Sequence, residues 1–233
     1  FDVISTIMKP IEKIMTGLPG YVTVVLIMQL LWWFGIHGPN VMGAVTGPFM
    51  TKMMAQNLEL YQAGEGITAS GVFYTAGSKY SIIANPFASG WFGPTGSGIT
   101  MGLIIAIMLF SKRDDFKAIA KLSIPCGIFN INEPIIFGLP MVLNPLMMIP
   151  FIFVPVINSI IAYGLMAFHI VGKGIIETPW TTPAPLGAAL GCMDFKAAIM
   201  VIGLIILDMV LYYPFFKLLE KQKLEEENSV QTN

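Results

Sequence analysis

The chain has 233 residues, of which 55% are hydrophobic and only 12% are charged, and its formal net charge is −1. Because soluble domains carry about 25% charged residues, this chain has too few charges to cover the surface of a water-soluble fold. The composition therefore predicts a protein that crosses a membrane several times, and the near-zero charge gives no indication of nucleic-acid binding.

The start of the chain is predicted to be an amphipathic helix. Residues 1–16 place isoleucine and methionine side chains on one face and charged side chains on the other, and Gly17 and Pro19 end the pattern. Pro10 interrupts it, since an interior proline kinks or splits a helix. Two interpretations stay open: an ordinary half-exposed helix, or a helix that lies in the membrane interface and leads into a bundle.

The first membrane span is predicted at 21–36. Trp32 and Trp33 lie near its end, where indole rings favour the membrane interface. The following segment, 41–60, carries lysine, glutamine, asparagine and glutamate among its apolar residues and is too polar to face lipid along its whole length.

The long segment 64–97 mixes glycine, serine, threonine and proline with aromatic residues. A loop of this length is uncommon unless it is functional or disordered, and the aromatic content argues against disorder. We predict a re-entrant hairpin or a structured segment over a cavity. A second apolar helix follows at 98–111 and is closed by the charged residues that come after it.

The most informative segment, 122–140, is an apolar run with one carboxylate, Glu133, and two carboxamides, Asn130 and Asn132. Glycine and proline break the run at Gly127, Pro134 and Gly138. An acid inside a membrane is costly unless it faces protein or a water-filled cavity, so it is by default a candidate functional residue. Broken backbone at membrane depth is likewise tolerated only where it lines a cavity or is buried in protein. The segment therefore predicts a polar solute site built from interrupted helices, as in transporters.

The last third of the chain contains two more apolar segments. Residues 141–171 carry several prolines, which fits either one kinked helix or a short hairpin arm followed by a span. A region rich in glycine, threonine and proline follows at 172–194, and the final span is predicted at 197–216.

Lysine and arginine cluster at 112–121 and again after the final span, so the positive-inside rule places both groups in the cytoplasm. The charged end of the chain is expected to be solvated and mobile. The predicted organisation is an amphipathic linker helix at 1–17, a transport domain at 18–216 and a cytoplasmic tail at 217–233.

A carboxylate flanked by carboxamides suits a polyhydroxylated solute. Glu133 can accept hydrogen bonds from two adjacent hydroxyls while Asn130 or Asn132 donates back. The alternative is a structural acid that caps a broken helix or pairs with a lysine. His37 lies in a turn at the end of a span, where it can bind a hydroxyl or act on it as a general base, or serve as a structural residue.

Trp180 and Thr181, in a loop that also holds Glu177, are further candidate binding residues because aromatic rings stack on the apolar faces of sugars. A membrane-interface belt is an equally good account of this loop. Asp208 lies inside the last predicted span and requires a partner or a cavity, and a buried structural pair is the favoured interpretation. His169 is interpreted as structural.

No metal or cofactor site is predicted. The two cysteines and two histidines lack metal-site spacing. The chain has no P-loop, no Ser/His/Asp signature and no glycine-rich phosphate cradle. By itself it shows no complete catalytic constellation.

Three motifs together resemble one known family. Residues 127–145 read Gly-Ile-Phe-Asn-Ile-Asn-Glu-Pro-Ile-Ile-Phe-Gly-Leu-Pro-Met-Val-Leu-Asn-Pro, residues 32–40 read Trp-Trp-Phe-Gly-Ile-His-Gly-Pro-Asn, and residues 179–185 read Pro-Trp-Thr-Thr-Pro-Ala-Pro. In this order they resemble the membrane component EIIC of the bacterial phosphotransferase system, lactose/cellobiose/oligo-β-mannoside branch. Family members are roughly twice as long, and this chain resembles their C-terminal half, which holds the sugar.

The resemblance implies a permease that binds a β-linked disaccharide, such as cellobiose or lactose, from outside the cell. It implies that the sugar's 6-hydroxyl is presented to the cytoplasmic subunit EIIB, which carries a phosphoryl group on a cysteine. Glu133 would contact sugar hydroxyls and His37 would lie beside the hydroxyl to be phosphorylated. The chain would act as a phosphotransferase only in complex with EIIB, without a cofactor. A homodimer in the bacterial cytoplasmic membrane, joined largely through the N-terminal half, is also implied.

The expected fold is an all-α membrane protein with about four full spans, one or two re-entrant hairpins and an amphipathic lead helix. Two other functions stay open. One is an ion-coupled secondary transporter in which Glu133 and Asp208 bind protons or sodium, and the other is a purely structural membrane scaffold. Residue types do not distinguish cellobiose, lactose, chitobiose and mannobiose as substrates.

Overall fold

The computed structural model describes residues 17–65, 79–84 and 96–231. The predicted lead helix at 1–16 and most of the predicted hairpin segment at 64–97 lie outside these ranges. The regular elements of the described ranges are all α-helices: α1 Leu18–Trp33, α2 Gly38–Gln62, α3 Met101–Phe110, α4 Asp114–Ile128, α5 Glu133–Gly138, α6 Pro145–Ala167, α7 Ala184–Cys192 and α8 Phe195–Gln231. The predicted all-α class is confirmed.

The first helix is as long as the span predicted at 21–36, but it begins and ends three residues earlier. It starts after Gly17, with Pro19 in its first turn, where the missing N–H of proline is not needed. It ends at Trp33, and Gly35 follows with a left-handed φ of 81°. A glycine in this conformation commonly terminates a helix because no Cβ opposes it.

One polar residue of the segment predicted at 41–60 is buried against protein, while Lys52, Gln56 and Glu59 are exposed. Asn57, on α2, is fully buried, and its side chain accepts a hydrogen bond from the N–H of Ser81 at 2.8 Å. Its Nδ2 donates to the carbonyls of Ser81 and Gly174 at 2.9 Å and 2.8 Å. Buried amides are almost always paired in this way. The partners here are other segments of the chain rather than lipid.

The proline-containing segment between 141 and 171 forms one continuous helix, α6, with two interior prolines. Its start is fixed by a strong cap, because Asn144 Oδ1 accepts the N–H groups of Leu146 at 2.9 Å and Met147 at 3.3 Å. Of the two structures that the sequence allowed, the single helix is correct.

The two larger apolar clusters of the described residues hold most of the helices together. One packs α1, α6, α7 and α8 with Met50 of α2, and the other packs α3, α4 and α5 against α6, α8 and Trp32 of α1. A glycine permits a close approach between α3 and α8. A Cβ on Gly102 would lie 2.5 Å from both the Cβ of Asp208 and the backbone nitrogen of Met209. Such small-residue contacts are typical of helix packing in lipid, where apolar burial alone provides little driving force.

Within the described ranges, two helices are long and apolar enough to cross a membrane: α6 and the Phe195–Ser229 part of α8. A full span needs about 20 apolar residues. The helices α1 and α3 are apolar but shorter, with 16 and 10 residues. The expectation of about four full spans therefore exceeds what helix length supports here.

The segment predicted to be a solvated tail continues α8 as a helix to Gln231. Most of its side chains are exposed, as its charge predicts. The helix is anchored near its apolar end, because Glu220 Oε1 accepts hydrogen bonds from Ser111 Oγ at 2.6 Å and from the N–H of Lys112 at 2.8 Å. This anchor joins α8 to the α3–α4 loop.

Candidate functional site

The helical path is broken between α4 and α5, as the sequence predicts. The helix α4 ends at Ile128, Asn130 adopts a left-handed φ of 64°, and α5 begins at Glu133. Asparagine is one of the few non-glycine residues that visit this conformation readily. Pro134 suits the first turn of the next helix because its missing N–H is not needed there.

Two asparagines attach the break to neighbouring loops. Asn130 Nδ2 donates hydrogen bonds to the carbonyls of Trp180 and Thr182, at 2.6 Å and 2.7 Å. Asn132 Nδ2 donates to the carbonyl of Ser97. Both asparagines are buried. Their amide groups therefore hold three separate segments of backbone in one place.

Glycine allows the loop before α3 to approach the break. Gly96 has a φ of 85°, and a Cβ there would lie 2.6 Å from the carbonyl oxygen of Asn130. Two residues further on, the carbonyl of Gly98 accepts a hydrogen bond from the hydroxyl of Tyr212 on α8. The loop before α3 is thus held between the break and α8.

Glu133 is the charged residue at this break. It is the first residue of α5, is partly exposed, and lines a cavity. Within the described ranges, no hydrogen bond or ion pair engages its carboxylate. The structure therefore shows neither the helix cap nor the lysine pair that would make it a purely structural acid. Its oxygens are available to a ligand as acceptors.

His37 forms the N-cap of α2. Its Nδ1 accepts the N–H of Asn40 at 3.2 Å, and its ring lies against Trp32 with 4.8 Å between ring centroids. A Cβ on Gly38 would overlap the carbonyl of Met28, so this turn is pressed against α1. Because Nδ1 is an acceptor, the neutral ring carries its proton on Nε2. Nε2 is therefore the ring nitrogen left for a ligand.

These groups line one cavity of about 490 Å³, a volume typical of small-molecule sites. Its polar lining comprises Gln29, His37, Asn40, Ser97, Asn130, Asn132 and Glu133. Its aromatic lining comprises Tyr21, Trp32 and Trp180. Acceptors, donors and ring faces are thus available to a single solute.

The structure brings most of the predicted site residues to this cavity: Glu133, Asn130, Asn132, His37 and Trp180. Thr181 and Glu177 lie on the same loop as Trp180 but do not line the cavity. Asp208 is buried in α8, also outside the lining. In the described part of the chain, no three His, Cys, Asp or Glu side chains are grouped as metal ligands.

Two lining residues of α1 escaped the sequence analysis as site candidates. Gln29 is buried in the second half of α1, and the available signal was a lone carboxamide in an apolar run. Trp32 was assigned to the membrane interface, yet it is only 5% exposed and faces the cavity. Trp33 is the adjacent residue and has the same side chain, so the sequence did not indicate which of the two indoles faces the cavity.

Comparison with known proteins gives consistent matches. The family described as "Phosphotransferase system, EIIC" matches residues 2–155. The cellobiose-specific EIIC component of Lactococcus lactis is 36% identical over 94% of this chain and 46% of that protein. The lactose-specific EIICB component of Staphylococcus epidermidis is 34% identical over 97% of this chain and 38% of that protein. The solved structure of ChbC, the IIC component of an N,N′-diacetylchitobiose-specific phosphotransferase system, matches with a TM-score of 0.85 and 34% identity, over 95% of this chain and 49% of that one.

The fold and the cavity define a helical membrane protein with a polar, ligand-sized site. The chain belongs to the EIIC family of the phosphotransferase system, whose members are integral membrane components. It spans about half the length of the curated relatives that it matches. The resemblance seen in the three motifs is confirmed, and the ion-coupled alternative is not supported.

Proposed function

We propose that this chain is the sugar-holding part of a permease that binds a β-linked disaccharide and presents its 6-hydroxyl to phosphorylated EIIB. The observation that carries the proposal is the carboxylate of Glu133, which has no partner among the described residues and lines a cavity that His37 also lines. The names of two relatives, which specify cellobiose and lactose, support the substrate class.

Glu133 is proposed as the acceptor for sugar hydroxyls, because hydrogen bonds to a carboxylate are about twice as strong as neutral ones. Trp180, with 59% of its surface exposed, offers an indole face to the apolar side of a sugar ring. Asn130 and Asn132 shape this wall, since their Nδ2 groups already donate to backbone carbonyls. Thr181 would join the site only through a movement of its loop.

His37 is proposed to act on the reacting hydroxyl as a hydrogen-bond donor. Its Nδ1 is occupied by the N–H of Asn40, so in the neutral ring Nε2 carries hydrogen and cannot take a second proton as a base. A donor at this position orients the hydroxyl oxygen for attack. This geometry favours orientation over the general-base role considered from the sequence, and leaves Glu133 as the candidate base.

The proposed reaction breaks the sulfur–phosphorus bond on EIIB and forms an oxygen–phosphorus bond to the sugar. The thiolate stays on EIIB, and the hydroxyl proton passes to Glu133 and then to solvent. Phosphoryl transfer depends mainly on positioning and electrostatic stabilisation, so the acceptor side needs no covalent chemistry of its own. A chain without a phosphate-binding motif fits this division of labour.

Residues 18–216 are proposed as the transport domain, with the α3–α4 loop and the end of α8 in the cytoplasm, where their lysine and arginine residues favour that side. One relative is named as a joined EIICB component, which supports EIIB as the partner. A homodimer is also proposed, with its contact in the part of the full-length permease that this chain does not span.

Uptake by vesicles that contain the full-length permease tests the proposal. Sugar phosphate should accumulate when phosphorylated EIIB is enclosed, without any ion gradient. Unphosphorylated EIIB is the matched control and should give no accumulation. Accumulation of unmodified sugar in response to a proton or sodium gradient would contradict the proposal.

A further inference from the structure

Two buried polar atoms on α1 have no hydrogen-bond partner among the residues that the structure describes. Gln29 is 6% exposed and Trp32 is 5% exposed, yet Gln29 Oε1 and Trp32 Nε1 are unpaired within the described part of the protein. Buried polar atoms in folded proteins are normally satisfied, and each exception requires an explanation. Neither atom here serves a cap or a link between helices.

The position of both residues supplies the explanation. They lie one helical turn apart on the same face of α1, and both line the cavity that contains Glu133 and His37. The ring of Trp32 is held against that of His37, which fixes the direction of its indole. The neighbouring Trp33 provides a contrast, because its Nε1 donates to the carbonyl of Asn144 at 3.1 Å.

The chemistry of the two atoms is complementary. Gln29 Oε1 is an acceptor, and Trp32 Nε1 is a donor only. A hydroxyl group both donates and accepts, so one hydroxyl, or two adjacent ones, satisfies the two atoms together. An apolar group or an ion of either sign leaves at least one of them unpaired.

We propose that Gln29 and Trp32 form a donor–acceptor pair that recognises one sugar hydroxyl position and so contributes to substrate selection. This inference rests on the proposed function and deepens it. It assigns the pair to discrimination between sugars, apart from the reacting hydroxyl that Glu133 and His37 engage. A site built to hydrogen-bond a hydroxyl rejects an analogue that lacks it, because the protein groups then stay buried and unpaired.

The test measures calorimetric affinities of the full-length permease for a disaccharide and for its series of monodeoxy analogues. Gln29→Leu removes the acceptor at similar volume, and Trp32→Phe removes the N–H while keeping an aromatic ring. Each variant should bind the parent sugar roughly tenfold to a hundredfold more weakly. Each should also lose its discrimination against the same deoxy analogue, and keep its discrimination at the other positions.

Matched controls make the same substitutions outside the cavity. Gln56→Leu lies on the exposed surface of α2, and Trp33→Phe changes the neighbouring indole, which does not line the cavity. Both should keep the wild-type order of affinities for the analogues. Wild-type discrimination in Gln29→Leu or Trp32→Phe, or a loss at two unrelated positions, would overturn the inference while the proposed function stands. Failure of the wild-type permease to bind any β-linked disaccharide would overturn both.

Discussion

Glu133 and Asp208 are both acids within apolar sequence, but the structure gives them opposite surroundings. Glu133 begins a new helix after a break and faces a cavity with no partner in the described ranges. Asp208 lies within the continuous helix α8, is fully buried, and accepts a hydrogen bond from Asn158 Nδ2 at 3.1 Å. The backbone break, rather than the charge, distinguishes the solute-facing acid from the one that joins two helices.

The surroundings of Asp208 confirm its interpretation as part of a buried pair. Gly102 of α3 packs directly against it, and no lysine, arginine or histidine of the described ranges pairs with it. Among the described residues, Asp208 Oδ1 and the Asn158 side-chain oxygen, Oδ1, both lack a hydrogen-bond partner. The pair lies between α6 and α8, and neither of its residues lines the cavity.

The largest expected effect tests the comparison directly. Glu133→Gln should weaken sugar binding by roughly 1.5–3 kcal/mol, because hydrogen bonds to a charged acceptor become bonds to a neutral one. Asp208→Asn makes the same chemical change outside the cavity and should leave the affinity unchanged. Calorimetric titration of both variants decides the matter, and equal affinities in the two would reject Glu133 as a sugar ligand.

The next prediction concerns stability, to which Asp208 should contribute more than Glu133. Asp208→Ala leaves Asn158 Nδ2 buried without an acceptor, which should lower the free energy of unfolding by about 1–3 kcal/mol. Asp208→Asn keeps an acceptor and adds an N–H for the unpaired Asn158 Oδ1, so its stability should be retained. Thermal unfolding in detergent measures both variants. A loss in Asp208→Asn as large as in Asp208→Ala would show that the charge itself is required.

The third prediction separates the two roles of His37, capping α2 and contacting the hydroxyl to be phosphorylated. His37→Asn keeps an N-cap acceptor for α2 but removes Nε2–H, so phosphorylation by phospho-EIIB should slow roughly tenfold while sugar binding changes less. His37→Ala also removes the cap and should cost about 1 kcal/mol of stability in addition. Single-turnover phosphorylation and calorimetry separate the two effects. An equal loss in rate and in affinity would make His37 a binding residue only.

A third acid, Asp115, is exposed and should show the smallest effect. The guanidinium of Arg113 donates to both carboxylate oxygens of Asp115, at 2.9 Å and 2.8 Å, and lowers the pKa of Asp115. Because the folded pKa lies below the ordinary value of about 3.9, the stabilisation is present above that pH and is lost as the pH falls through the lowered pKa.

Hydrogen exchange of the amides at 111–116 measures this effect. Protection from exchange should be constant near neutral pH and should decline at acidic pH, below the range in which carboxyl groups ordinarily titrate. Asp115→Asn should show weaker protection at neutral pH and a smaller change on acidification. An unchanged acid response in that variant would assign the effect to Glu227, which also binds Arg113.

The local backbone was the most predictable part of the site. Asn130 and Pro134 each impose a conformation through their own covalent structure, so the interruption before Glu133 could be placed from the sequence. The contacts of Asn130 and Asn132 could not be placed in this way. Their partners lie on loops about 35 to 52 residues distant along the chain, and only packing brings them together.

By itself, the sequence determined that this protein is a helical membrane component with an acid at a broken helix, because composition and backbone preference belong to each residue and its neighbours. Tertiary structure decided that Gln29 and Trp32 face the same cavity as Glu133, that His37 Nδ1 caps a helix, and that Asp208 pairs with Asn158. Those outcomes depend on which helices pack together and how closely they approach. Contacts of small residues, such as Gly102 against α8, set the distance between helices. No local pattern carries this information.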